Sequence, residues 1–375
     1  MAPREPQHVY RRRRLVALGI LIAAAIAIVV LVNSVAGDPE SEPADPLAAV
    51  AVDRLVGQRL MVPMKGSATP ELERLARDGA IGGVILFPPP GAKPAATLEE
   101  VERVQSAATE GGNPPLLVAI DQEGGPVTRL SDGPPQSSPS ELGAQGDAPT
   151  ARAEGERTAR YLSRSGVNVD LAPVLDVPQL DSFMLARGFG TDPGTVSRIG
   201  VAFAEGLADG GVAATAKHFP GLGRATLDTD ITESVVDASR EQLEAGLEPF
   251  RAAIAAGVDL VMTANAVYPE IDVEAPASLS QPVIEGELRE ELGFEGVVIT
   301  DDLLAGSIQD ELSPPQAAVQ AALAGADVLL FAKATNPAAI QRRLLSAAES
   351  GELSGDSLEQ SYARIVALKE TVASR

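Results

Sequence analysis

The chain has 375 residues, no cysteine, two histidines and a net charge of −22. An acidic balance of this size excludes a surface built to bind nucleic acid, and the lack of cysteine excludes disulfides and thiolate metal sites. His218 is the only imidazole beyond the first 14 residues, which leaves a multi-histidine zinc site or a Ser-His-Asp triad little to work with.

From the start of the chain, residues 1–14 read as a basic tail: Arg4 and Arg11 to Arg14 against Glu5 give +4, leaving −26 for the remainder. Leu15 to Val32 is apolar throughout. As a helix this run would be about 27 Å long, close to the roughly 30 Å of a bilayer's hydrocarbon core. The expectation is a transmembrane helix over 15–36, with the arginines in the cytoplasm and everything after Asn33 outside the plasma membrane. Ser34 and Ala36 are small and spaced like a signal-peptidase site, so secretion after cleavage is the alternative. Residues 37–46 hold Asp38, Pro39, Glu40, Glu42, Pro43, Asp45 and Pro46, the composition of an extended, solvated linker. The remaining stretch, 47–375, has the length of one large barrel domain.

Within it, strand-like runs rich in Val, Ile and Leu fall at 59–63, 83–87, 116–120, 167–171, 212–218, 259–264, 296–300 and 327–332. Between them lie segments with helical apolar spacing, such as 72–77, 151–162, 240–256 and 315–323, and a closing helix over 358–372. Strand and helix alternate throughout, and eight repeats in this length predict a closed (β/α)8 barrel of the TIM type. The fold class predicted for the whole chain is therefore α/β, a TIM-type barrel preceded by an N-terminal transmembrane helix.

The polar residues that end these runs are the candidates for function. A carboxylate is expensive to bury, so Asp121 and Asp301, each closing an apolar run, need partners or a ligand. Lys217 is one of only five lysines and interrupts an apolar strand. Asp121, Arg129, Arg187 and the Lys217-His218 pair belong on strand ends or loops at one barrel mouth, with the mixture of groups that grips sugar hydroxyls. Taken singly, Arg129 and Arg187 read better as helix caps or partners of surface acids. Asp170 and Asp176 read as buried aspartates satisfying loop amides, and Asp302 as a helix N-cap or salt-bridge partner. Gly221-Leu222-Gly223 invites a dinucleotide reading, but the Gly-x-Gly-x-x-Gly spacing fails at Thr226.

Six ordered blocks carry a more specific signal: IDQEGGPVTRL (120–130), VNVDLAPVLDV (167–177), ARGFGTDP (186–193), AKHFPGLGRATLDTD (216–230), VMTANAVYPEID (261–272) and GFEGVVITDDL (293–303). Together they resemble the family 3 glycoside hydrolases, specifically the single-domain β-N-acetylglucosaminidases that act on peptidoglycan fragments. The resemblance implies hydrolysis of terminal β-linked N-acetylglucosamine, no metal or organic cofactor, and a carbohydrate as the partner. It implies sugar binding by Asp121, Arg129, Arg187, Lys217 and His218, and a nucleophilic role for Asp301, with a second group about 5–5.5 Å away acting as acid and then base in a retaining mechanism.

The chain departs from that family where the second group should be. The mobile loop after the KHFPG block typically reads Asp-Ser-His, its histidine held by the aspartate and serving as acid/base; here it is Asp228-Thr229-Asp230. Two further family histidines are Leu222 and Asn265. Two readings are open. Asp230 is a working carboxylic acid, kept protonated by repulsion from Asp228 and Asp301; or turnover is lost and the barrel is a membrane-tethered binder of amino-sugar fragments.

Overall fold

The computed structural model describes residues 50–375. Eight strands run parallel: β1 (Leu60–Lys65), β2 (Gly83–Phe87), β3 (Leu117–Ile120), β4 (Val169–Asp170), β5 (Ala213–Phe219), β6 (Leu260–Thr263), β7 (Val297–Thr300) and β8 (Leu329–Leu330). They pair in sequence order, β1 also pairs with β8, and a bridge from Ile299 to Val328 joins β7 to β8. The sheet thus closes on itself, as the eight strand-like runs predicted.

Inward-facing residues of alternating positions, among them Met61, Ile85, Leu117, Val169, Leu171, Leu260, Met262, Val297 and Ile299, form one buried cluster. Each large side chain removed from water contributes roughly 1.5–3 kcal/mol. β4 is shorter than its apolar run because a proline interrupts the ladder. Beyond Asp170 the carbonyls of Ala172 and Pro173 still accept from Thr215 and Lys217 of β5, but Pro173 has no amide to donate, and the regular pairing stops.

Helices Pro70–Arg77, Pro94–Glu110, Ala148–Ser163, Pro193–Asp209, Arg240–Ala256 and Pro314–Leu323 connect the strands, with a π-helical segment, Pro282–Glu291, between β6 and β7. Many start on the same local chemistry. Thr69, Asp192, Ser239 and Asn336 accept a hydrogen bond from a first-turn amide, and Pro70, Pro94, Pro193, Pro314 and Pro337 occupy an opening position where no amide partner is needed.

The N-terminal end of the barrel is stapled by buried charge. Asp327 accepts from Arg289 (2.8 Å), from Arg364 (2.9 and 3.0 Å) and from the amide of Val298 (2.9 Å). The last helix, Gly355–Ser374, adds Ile365 and Leu368 to the core and buries Lys369, whose Nζ donates to Gln58 Oε1 at 2.6 Å.

The expectation of a transmembrane helix is corrected here. Among the described residues no helix is long and apolar enough to cross a membrane; even the longest, Gly355–Ser374, carries Asp356, Glu359, Arg364, Lys369 and Glu370 along its length. Segment 15–36, on which that expectation rested, lies outside the described residues. For the described residues the fold class is accordingly the barrel. A membrane partner and a single-pass plasma-membrane location are likewise not supported.

Candidate active site

The C-terminal ends of the strands surround a cavity of about 300 Å³. Its floor is the top layer of the barrel core, since Ile85, Leu171, Met262 and Leu330 belong to both. Around that floor Asp121, Arg129, Arg187, Lys217, His218, Asp228, Asp230 and Asp301 all line the same cavity. The residues alone suggest one mouth for Asp121, Arg129, Arg187, Lys217 and His218, and the family resemblance adds Asp228, Asp230 and the role of Asp301.

One wall is a charged clamp. Asp121 follows β3 directly, and the chain stays extended as a short strand, Gln122–Gly124, paired antiparallel with Val127–Thr128. Residues two apart on an extended chain face the same way, so Asp121 and Glu123 both reach the cavity. Lys217, in β5, donates to Asp121 Oδ1 at 2.9 Å and lies 2.7 Å from Glu123 Oε1. Arg187 closes a two-point fork on Glu123, at 2.9 Å from Nε and 2.6 Å from a terminal nitrogen. Arg129 donates to Asp121 Oδ2 at 3.4 Å and stacks 5.3 Å above the Phe87 ring. Neither arginine takes the capping or surface role that each would suit alone.

Burial and pairing compete in this clamp, and pairing wins. Burial pushes the Glu123 carboxyl upward, but Lys217 and Arg187 outweigh it and hold the group at about 2. Burial pulls Lys217 down, and Asp121 and Glu123 more than reverse it, so the ammonium titrates above its ordinary range. Glu123 and Lys217 are therefore both charged at neutral pH, and Asp121, half-buried at the edge of the clamp, still turns oxygen lone pairs to the cavity.

His218 is oriented from behind. Its ring donates from Nδ1 to Asp176 Oδ2 at 2.7 Å, which leaves Nε2 facing the Arg187 guanidinium at 3.5 Å. Asp176 is fully buried, and its Oδ1 accepts the amides of His218 (3.3 Å) and Leu222 (2.5 Å). It does satisfy loop amides, as its sequence suggested, and it also fixes the imidazole. Asp170 accepts the amide of Gln122 at 3.0 Å, while burial raises its carboxyl well above the usual range.

The opposite wall is acidic. Asp301 follows β7, its amide donating to Thr263 of β6 at 3.0 Å and its Oδ1 accepting from the amide of Asp302 at 2.8 Å. The loop after β5 brings Asp228 and Asp230 across, with Asp228 Oδ1 accepting the amide of Asp230 at 3.0 Å. That loop is pinned: the carbonyls of Asp230 and Thr229 accept from the amides of Gly306 (3.0 Å) and Ser307 (3.2 Å). A Cβ at position 306 would collide with the carbonyl oxygen of Ile231, so glycine permits the approach. Burial first, and then Asp301 and Asp228, push the Asp230 carboxyl upward.

Asp302 is no N-cap. It accepts the amides of Leu304 (3.0 Å) and Ala332 (2.9 Å), tying β7 to the end of β8, and its salt bridge is a long one, 3.8 Å to Lys333. Leu222 and Asn265 are buried; Asn265 donates to the Asp302 carbonyl at 2.8 Å and does not line the cavity.

Sequence reasoning missed Glu123 and Lys333. Glu123 was readable, because it follows Asp121 by two residues in a segment that stays extended. Lys333 had the signal that exposed Lys217, a rare lysine at the end of an apolar run, and it lines the acidic wall.

A closed barrel with paired acids facing a charged clamp at its C-terminal mouth is the build of a glycosidase. Comparison with known proteins is specific. The model of the glycosyl hydrolase family 3 N-terminal domain matches residues 51–368. The chain is 36% identical over 339 residues to an uncharacterized secreted glycosyl hydrolase of Arthroderma benhamiae, covering 87% of this chain and 96% of that one. Among solved structures it is similar to a family 3 β-N-acetylglucosaminidase from Paenibacillus sp., with TM-score 0.83 and 38% identity, over 87% of this chain but only 63% of that one. A β-N-acetylhexosaminidase from Beutenbergia cavernae gives 0.79 and 33%, over 86% and 99%. The chain belongs to glycosyl hydrolase family 3, as an O-glycosyl hydrolase of the β-N-acetylhexosaminidase type.

Proposed function

We propose that this chain removes terminal β-linked N-acetylglucosamine from glycosides of the cell-wall, peptidoglycan type by a retaining double displacement. In this reading the clamp of Asp121, Arg129, Arg187, Lys217 and His218 holds the sugar's hydroxyls. Asp301 attacks the anomeric carbon and forms a glycosyl ester while Asp230, protonated, delivers its proton to the leaving oxygen. Asp230 then takes a proton from water, which releases the sugar with its original configuration. Asp228 holds the Asp230 amide and repels its charge, which favours the protonated form.

The observation that carries the reading is that Asp230 and Asp301 line one cavity with the sugar clamp and that the Asp230 carboxyl is pushed upward there. A general acid needs such a poised proton, and carboxyl groups fill this role in most glycosidases. Support for N-acetylglucosamine comes from the similar Paenibacillus enzyme, a β-N-acetylglucosaminidase.

The test is turnover of an aryl N-acetyl-β-glucosaminide by the purified protein and by an Asp301→Asn variant. The wild type is expected to hydrolyse it, and the variant to lose at least about 10³-fold in kcat/KM. If the two proteins are equally inactive while N-acetylglucosamine still raises the melting temperature, the barrel binds the sugar without cleaving its glycosides.

A further inference from the structure

The cavity is divided by charge. Asp121 and Glu123 are matched on their side by Arg129, Arg187 and Lys217. Asp228, Asp230, Asp301 and Asp302 line the other side, and His218 is committed to Asp176. That leaves Lys333 as the remaining cation among the residues that line the cavity. Its Nζ donates to the carbonyl of Leu304 at 3.0 Å and lies 3.8 Å from Asp302 Oδ2, with 53% of the side chain exposed. The ammonium is therefore fixed mainly by a backbone oxygen, without the close ion pair that would spend its charge on one partner.

Four carboxylates sharing one wall repel, and repulsion drives protons onto them without regard to which must stay ionised. A nucleophile needs to be charged while its neighbour keeps a proton. A single cation at the wall's edge offsets part of that repulsion, and solvent screening at its exposure keeps the effect modest.

We propose that Lys333 is a positioning residue for the reaction: anchored on the Leu304 carbonyl at the end of β8, it places one positive charge against the acidic wall and so tunes when Asp230 gives up its proton. The inference rests on Asp230 serving as acid/base. The charged groups that line the cavity and act on Asp230 through space are Asp228 on its own loop, Asp301 and Asp302 after β7, His218 on β5 and Lys333 after β8. Burial, Asp301 and Asp228 push Asp230 up, and Lys333 and His218 pull it down, so removal of Lys333 leaves the upward influences less opposed.

Two variants, Lys333→Met and Lys333→Arg, test this by two routes. In protein labelled at the aspartate carboxyl carbons, the Asp230 resonance, assigned by its loss in Asp230→Asn, is followed by NMR across pH. It titrates at higher pH in Lys333→Met and at the wild-type pH in Lys333→Arg. In turnover of an aryl N-acetyl-β-glucosaminide, the alkaline limb of kcat/KM moves the same way. At a pH on that limb Lys333→Met retains about threefold more of its maximal rate than the wild type, and Lys333→Arg restores the profile. An Asp230 titration unmoved in Lys333→Met overturns the proposal whether or not turnover is seen, and a moved titration with an unmoved limb overturns the role in the reaction. A wild type without turnover whose Asp230 still responds to Lys333 sinks the hydrolase reading and upholds the electrostatic coupling.

Discussion

Glu123→Gln keeps the shape of the side chain and removes one charge from between Lys217 and Arg187. The carboxylate is 3% exposed and is held at about 2 against an ordinary 4.5. At about 1.4 kcal/mol per pH unit, that difference is worth roughly 3 kcal/mol of stability at neutral pH. Removing one member of a buried pair typically costs 3–5 kcal/mol, a range that meets this figure at its lower edge. The folded state binds fewer protons than the unfolded one between pH 4.5 and about 2. The contribution is therefore complete above pH 4.5 and fades as pH falls toward 2. With an unfolding entropy of about 2 cal/mol/K per residue, 3 kcal/mol corresponds to roughly 4–5 °C in a domain of this length. Melting of the wild type and Glu123→Gln, followed by calorimetry, should differ by that amount at pH 7 and by clearly less at pH 3. A cycle with Lys217→Met should show coupling well above 0.5 kcal/mol. Equal melting at pH 7, a deficit that ignores pH, or additive effects in the cycle would refute the clamp.

Three further outcomes are expected. Asp230→Asn should lose on the order of 10²–10⁴-fold in kcat/KM on an alkyl glycoside but far less on a dinitrophenyl glycoside, whose aglycone departs without a proton; equal losses on both would remove Asp230 from the acid role. Gly306→Ala forces the loop at Ile231 away from its seat, so kcat should fall by about tenfold or more with little loss of melting temperature, and an unchanged kcat would show that the seat does not matter. Lys369 is buried with its pKa lowered from 10.5 to about 7. The folded state thus binds fewer protons from pH 7 to 10.5, and its penalty, up to roughly 5 kcal/mol, is complete below pH 7 and relieved as pH rises. Lys369→Met should therefore gain stability over the wild type at pH 6 and lose most of that gain near pH 10, when the neutral amine keeps its bond to Gln58; a gain independent of pH would contradict this.

Much of the barrel was legible because its strands obey a local rule, apolar β-branched runs that stop at a polar residue, as in Val297–Thr300 followed by Asp301. Asp121, Asp301 and the Lys217-His218 pair were legible for the same reason, standing at or beside the ends of runs, whereas Arg129 and Arg187 lie on loops and Asp228 and Asp230 were reached only through the family resemblance. Glu123 escaped because Gln122-Glu123-Gly124-Gly125 looks like a turn, while the chain continues as a strand held by a hairpin partner. The double duty of Asp176 depends on partners 42 and 46 residues away, a separation at which no local pattern speaks. The N-cap reading of Asp302 failed because the helix it should open begins only at Gly306, leaving its carboxylate to the Leu304 and Ala332 amides.

In the proposed retaining mechanism Asp301 becomes covalently bonded to the sugar. Incubation with a 5-fluorinated N-acetylglucosaminyl fluoride slows both displacements and lets such an intermediate accumulate, and peptide mass spectrometry then locates it. A single glycosyl adduct is expected on the peptide containing Asp301, absent in Asp301→Asn. Fluoride release without any adduct, or an adduct on a different residue, would contradict it.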